Sequence, residues 1–323
     1  MTPGASARRR PRRQRGAALL LAMVILTLVA TLAAGMVWQQ TRAVDIETAE
    51  RAHAQAEWVL TGALDWARLI LREDARSGRP TRLDAPWATP LAEARLSTFL
   101  AADQDNNAEG GPDAFLSGSI VDAQSRWNLR NLVDAKGQLD PTQLAALQRL
   151  CESAGIDPGV ATTIGQGLAA ALAPVPTDAS AQTQPIAPQR LSQLAWLGVD
   201  AATLARLAPL ATLLPVPTTV DANTASSEVL QAAIAGLDGG TAERLIQARK
   251  RAAFTSVADI QRLTGTIKVD PARVGFRSDY FEIDGRLRLD GKVLEERSLV
   301  VRRGLEVVVL QRERYSVPLG ESG

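Results

Sequence analysis

Few side chains in this sequence have the chemistry to act on another molecule. His53 is the one imidazole and Cys151 the one thiol in 323 residues. A disulfide within the chain, a thiolate cage for zinc or an iron–sulfur centre, and a multi-histidine metal site are thereby excluded. A Ser-His-Asp arrangement would have to be built on His53, which lies in a run reading as continuous helix, so His53 is assigned to a helix face. Cys151, just before Glu152 in a predicted helix, reads as a small buried residue. Asp103, Asp105 and Asn107 alternate as calcium ligands do, but an EF-hand would need glycine at 108 and glutamate at 114, where this chain has Ala108 and Ala114. That stretch reads as a solvated loop. Asp122, Arg126 and Asn128 cluster around Trp127 without a nucleophile or base in recognisable context, which favours a buried polar turn network over an active site. No catalytic residue, resident metal or cofactor is assigned, and the expectation is a protein that is not an enzyme.

The elements that hold these residues begin with an unusual N-terminus. Residues 1–16 contain six arginines and no acid; the remaining chain has 30 basic against 35 acidic side chains, so the net charge of +1 conceals a body at −5. Such a body has no general attraction for nucleic acid or an anionic surface. Residues 17–38 run AALLLAMVILTLVATLAAGMVW, 22 residues without a charge, and as a helix they would cover about 33 Å, enough to cross a bilayer core. Arginines before the span favour a cytoplasmic N-terminus, with everything after about Gln39 on the far side, which in a bacterium is the periplasm. Three readings of this start compete: a cleaved secretory signal with a small-x-small site near Thr31 to Ala33, an uncleaved signal anchor, and a leader cut at its glycine. The run Arg15-Gly16-Ala17-Ala18-Leu19-Leu20-Leu21, a basic leader ending in glycine directly before the apolar helix, fits the third best.

Helical periodicity continues through Val59, Leu60, Ala63, Ala67, Ile70 and Leu71 to about Arg76, where Ser77-Gly78-Arg79-Pro80 stops it. Residues 81–113 read as a loop with a short amphipathic helix over 92–100. Residues 114–132 read as a hairpin turning at 123–125. From about 139 to 274 the chain becomes alanine-rich and helical without a convincing strand, interrupted by a proline-rich linker at 174–189 that holds a single acid, Asp178. Within it, Val220-Asp221-Ala222-Asn223-Thr224-Ala225, then Gly236-Leu237-Asp238-Gly239-Gly240-Thr241 and Arg249-Lys250-Arg251 look like a helix-hairpin-helix. Such hairpins can place amides and basic side chains on DNA phosphate. Residues 221–262 nevertheless hold five basic and five acidic side chains, a balance that supplies little of the counterion-release energy of DNA binding. Residues 280–315 return to strands, with Asp284-Gly285, Asp290-Gly291 and Arg303-Gly304 as expected turns.

The glycine-ended leader resembles that of type IV pilins and type II secretion pseudopilins, and the resemblance implies cleavage between Gly16 and Ala17 by a prepilin peptidase, with methylation of Ala17. The fifth position of the mature chain, glutamate in most pilins, is Leu21; loss of that glutamate is a property of K-type minor pseudopilins, placed at the filament tip. Val121, Asp122, Arg126, Trp127, Asn128, Leu129 and Leu132 match the strand and turn of the same family, with Arg130 in place of an asparagine. The order of features is similar to that family along nearly the whole chain. It implies an α+β pilin-like fold, with a long N-terminal transmembrane helix packed on an antiparallel sheet and an inserted all-α domain containing a helix-hairpin-helix (SAM-like) element. The implied parts are a cytoplasmic leader (1–16), a transmembrane segment (17–38), a periplasmic helix with the first part of the sheet (39–138), the helical insert (139–274) and completing strands (275–323). It further implies a structural job in the bacterial inner membrane, with I- and J-type minor pseudopilins, other pseudopilus subunits, the inner-membrane secretion platform and the prepilin peptidase as partners and no nucleic acid. Some relatives bind calcium at an acidic loop of the insert; that loop is not seen here and calcium is not carried over. The alternative of another class is a membrane-anchored, competence-type DNA-binding protein, resting on the helix-hairpin-helix alone.

Overall fold

The computed structural model describes residues 14–96, 114–174, 185–289 and 292–317. Its helices are α1 (Gln14–Arg76), α2 (Pro141–Ser153), α3 (Gly159–Leu172), α4 (Ala201–Leu207), α5 (Ser227–Ala233), α6 (Gly239–Arg251) and α7 (Val257–Thr264). Its strands are β1 (Leu91–Arg95), β2 (Ala114–Asp122), β3 (Trp127–Asn128), β4 (Ala211–Thr212), β5 (Val220–Asp221), β6 (Val274–Gly275), β7 (Tyr280–Leu289), β8 (Lys292–Arg303) and β9 (Glu306–Val317). The chain divides into two units, up to Trp58 and from Val59.

In the first unit, every large apolar side chain from Leu19 to Trp38 is more than half exposed. A helix apolar all round is suited to lipid, and this one is long and apolar enough to cross a membrane. The hydroxyls of Thr27 and Thr31 donate back to the carbonyls of Val24 and Leu28, both at 2.9 Å, so neither needs water. Where the apolar run ends, the Arg42 guanidinium lies 5.6 Å from the centre of the Trp38 ring, a pairing suited to a headgroup boundary.

In the second unit, the rest of α1 lies on a five-stranded antiparallel sheet of order β1-β2-β7-β8-β9. Leu60, Leu64, Ala67 and Leu71 recur at helical spacing and are buried; the last three pack with Trp87, Phe281, Ile283, Val300 and Val307. Trp87 meets Phe281 edge-on with ring centres 5.3 Å apart. A buried pair, Arg302 Nη1 to Asp74 Oδ2 at 2.8 Å, fixes the end of the helix to β8.

Three expectations change at this point. Over 92–95 the expected helix (92–100) gives way to β1, whose ladder with β2 outweighs the helix propensity of Leu91-Ala92-Glu93-Ala94; residues 97–113, including the rest of that expected helix and Asp103, Asp105 and Asn107, lie outside the described residues. The hairpin expected at 114–132 does not form. β2 pairs with β1 and β7, while the chain turns at 123–125 and β3 leaves the sheet to pair in parallel with β4. Asp284-Gly285 is no turn either: both sit inside β7, opposite Ser119 and Gly118 of β2. Glycine is required there by close approach, since a Cβ on Gly285 would meet Leu60 Cδ2 of α1 at 3.2 Å and one on Gly118 would meet the Asp284 carbonyl oxygen at 2.7 Å. Arg303-Gly304 does turn, with Gly304 at φ 62°; Asp290-Gly291, like Asp178, lies outside the described residues.

The segment from β3 to β6 forms a helical body around Trp127, Leu129, Leu147, Leu150, Ile164, Leu168, Val229 and Ile260. Against the expectation of no strands there, it contains the two short parallel pairs β3/β4 and β5/β6. They let backbone groups of irregular segments satisfy one another inside the body. One turn recurs three times in it. Gly155, Gly198 and Gly236 adopt φ of 65°, 87° and 82°; each is followed by a buried apolar residue (Ile156, Val199, Leu237) and an aspartate (Asp157, Asp200, Asp238) at the start of the next helix. Glycine ends one helix in the left-handed conformation and the aspartate opens the next by accepting from its free amides.

Candidate functional site

Gly16 and Ala17 lie in the first turn of α1, and Leu21 is an exposed member of its apolar surface. The basic residues before Gln14 lie outside the described residues. His53 stands on the same helix, with Nε2 3.6 Å from Glu57 Oε1. Cys151 is buried in the helical body, where desolvation, with Glu152 and Asp157 nearby, pushes its thiol up to about 11.

Asp122, Arg126, Trp127 and Asn128 come together where the chain passes from the sheet to the helical body. Asp122 ends β2 and caps the following turn by accepting from the Gln124 amide at 2.8 Å. Arg126 pairs with Glu282 of β7 at 2.6 Å. Trp127 is 2% exposed and anchors the core of the body. Asn128 uses both ends of its amide: Oδ1 accepts from the Arg130 and Leu214 amides at 3.0 and 3.1 Å, and Nδ2 donates to the Val216 carbonyl at 2.8 Å and Thr218 Oγ1 at 3.0 Å. Asn131 clamps the same segment, exchanging bonds with the Thr218 amide and carbonyl. These two asparagines replace a strand partner for residues 214–218.

The structure adds residues that the sequence reading left out of this cluster or placed in the helix-hairpin-helix run. Gln124 reaches across the seam, its Oε1 accepting from the Asp279 amide at 2.7 Å and its Nε2 donating to the Thr219 carbonyl at 3.1 Å. Thr224 Oγ1 donates to Asp122 Oδ2 at 2.5 Å, and the Ser278 amide donates to Thr81 Oγ1 at 2.8 Å. Asn223 holds residue 254 through its amide and carbonyl. Asp221, fully buried at the end of β5, completes the cluster. Burial pushes both Asp122 and Asp221 above the usual carboxylate range, Asp221 well above it because the charge of Asp122 adds to desolvation. The one sequence signal for these partners was the run Asp221-Ala222-Asn223-Thr224, whose polar residues are too dense for an ordinary helical segment.

The cluster is buried and its carboxylates, amides and hydroxyls are bonded to one another across the seam, which suits it to fixing one body on another rather than to chemistry on a ligand. Among the described residues, no group of three or more His, Cys, Asp or Glu could hold a metal ion. Between α5 and α6, two of the groups named in the sequence reading are engaged within the chain. Asp238 occupies the N-terminus of α6, accepting from Thr241 N at 2.9 Å and Thr241 Oγ1 at 2.6 Å, and Arg249 is turned inward, donating to the carbonyls of Ala222 and Ala225.

Residues 125–216 and 220–277 match two family models, both described as type II secretion system (T2SS), protein K. Type II secretion system protein K of Klebsiella pneumoniae is 30% identical over 155 residues, which are 45% of this chain and 41% of that protein. The chain thus aligns with less than half the length of that relative. A chain of the crystal structure of the GspK-GspI-GspJ complex from the enterotoxigenic Escherichia coli type 2 secretion system superposes with a TM-score of 0.58 at 17% identity, covering 83% of this chain and 98% of that chain. At that identity the likeness is one of fold.

Proposed function

We propose, on the premise that this chain belongs to the type II secretion system protein K family, that it is a minor pseudopilin, a structural and non-enzymatic subunit at the tip of the secretion pseudopilus. The observation that carries this is the pair of family matches, 125–216 and 220–277, which follow one another in order within the segment that leaves the sheet after Asp122 and returns to it at Tyr280. The finer architecture goes with that reading: a pilin-like helix and sheet (39–138 and 275–323), a helix-hairpin-helix insert (139–274), a membrane segment (17–38) and a leader (1–16). The related crystal structure holds GspK with GspI and GspJ, and I- and J-type minor pseudopilins are accordingly the partners we infer for this chain. Its setting would be the bacterial inner membrane, N-terminus in the cytoplasm and bulk in the periplasm.

The mechanism in this reading is steric. Cleavage after Gly16 leaves Ala17 as the methylated terminus, and the apolar start of α1 packs among neighbouring subunits. Leu21 offers no carboxylate to the amine of a subunit above, and a carboxylate in lipid without such a partner would be costly. The helical body then caps the filament. Against the competence-type alternative stand the balanced charge of residues 221–262 and the internal bonds of Asp238 and Arg249.

N-terminal sequencing and mass measurement of the membrane-extracted protein test the reading, with and without the host prepilin peptidase. A peptidase-dependent start at N-methylated Ala17 is expected. An intact Met1 or a start beyond residue 30 would remove it, and salt-dependent duplex binding by the protein would restore the alternative.

A further inference from the structure

Asp122 and Asp221 reach the seam from different bodies of the fold and meet at one hydroxyl. Ser278 Oγ lies 2.7 Å from Asp122 Oδ2 and 3.0 Å from Asp221 Oδ2. A serine hydroxyl has one hydrogen. It can donate to one carboxylate, and the second carboxylate then faces a lone pair unless it brings a hydrogen of its own. Asp122 is the better supported anion, since it also accepts from Thr224 Oγ1 and the Gln124 amide and has Arg126 close by. Asp221 Oδ1 accepts from the Asn223 amide at 2.8 Å, and the Thr81 hydroxyl is its remaining side-chain donor besides Ser278. We propose that Asp221 is protonated at neutral pH and donates to Ser278, which donates in turn to an ionised Asp122, so that a single shared proton closes the seam between sheet and helical body.

The charged groups around the pair leave this arrangement standing. Arg126 is engaged by Glu282 of β7. Arg249 of α6 faces Asp221 and, on its own helix, Glu243, but its guanidinium donates to the Ala222 and Ala225 carbonyls rather than to either carboxyl. Arg302 of β8 donates to the Ser278 carbonyl at 2.7 Å and pairs with Asp74 of α1. Two like charges joined through one hydroxyl in a sealed site cannot both be sustained, so the pair titrates as a unit. The sign of the pH dependence follows from linkage. A carboxyl whose folded value is raised above 3.8 adds stability that is complete below that pH and lost as pH rises through the folded value.

The test uses the full chain in detergent micelles as wild type, Asp221→Asn and Ser278→Ala. Infrared spectroscopy of the wild type at pH 7 should show the C=O band of a protonated carboxylic acid, absent in Asp221→Asn, whose amide keeps a donor toward Ser278, and displaced in Ser278→Ala, which removes the acceptor. In urea, the wild-type midpoint should fall relative to that of Asp221→Asn as pH is raised from 5 to 8. A wild type without the acid band, or a band unmoved in Ser278→Ala, would overturn the proposal whether or not Asp221→Asn folds. Parallel pH profiles of wild type and a folded Asp221→Asn would overturn it too.

Discussion

At the scale of single residues, the seam is held by side chains that take the place of backbone partners. Asn128 is 1% exposed and makes four hydrogen bonds. Removing its amide leaves the buried Leu214 N–H and the Val216 carbonyl without partners, and Asn128→Ala should cost about 2–4 kcal/mol. Asn128→Asp, almost the same shape, should be no better, because it puts an acceptor against the Val216 carbonyl. Trp127→Ala, which empties the adjoining core, should cost about 3–5 kcal/mol. Urea unfolding of the full chain followed by tryptophan fluorescence measures the asparagine variants, and circular dichroism follows the tryptophan variant, which loses a reporter. An Asn128→Ala protein as stable as wild type would show that residues 214–218 find other partners.

At the scale of elements, the contact of α1 with the sheet is set by absence of side chains as much as by their presence. Gly118 and Gly285 sit opposite one another on β2 and β7. A methyl at 118 would lie 2.7 Å from a backbone oxygen that cannot yield, whereas one at 285 would meet the movable tip of Leu60 at 3.2 Å. Gly118→Ala should therefore cost about 1–3 kcal/mol and Gly285→Ala less, an order that paired denaturation curves would check. The same pair shows why part of the sheet was hard to read. An Asp-Gly step flanked by apolar residues normally signals a hairpin turn, and only the proximity of Leu60, far away in sequence, shows that this glycine serves close packing. β1 is a parallel case: Leu91-Ala92-Glu93-Ala94 favours a helix locally, and a neighbouring strand decides otherwise. By contrast, the stop of α1 at Arg76 and the turn at Gly304 follow from local chemistry and were legible in advance.

At the scale of the whole molecule, the apolar surface from Leu19 to Trp38 is exposed among the described residues, and in the proposed role it is covered by lipid and then by other subunits. A charge in its middle should block both. Leu28→Asp should raise the cost of insertion by about 2.5–3.5 kcal/mol and remove the protein from membrane complexes purified through I- or J-type pseudopilins; undiminished co-purification would argue against helix packing as the route into the filament. The amino-acid order alone determined the apolar span, the stop of α1 and the change from strands to helices and back. Those features depend on local composition and on period, which act between residues a few positions apart. Tertiary structure alone decided that β2 joins β7 rather than β3, that Asp122 meets Asp221 and Ser278, and that Arg249 faces inward. Each of these contacts joins residues from 24 to 175 positions apart, and a preference for such partners is expressed only after the core has closed around them.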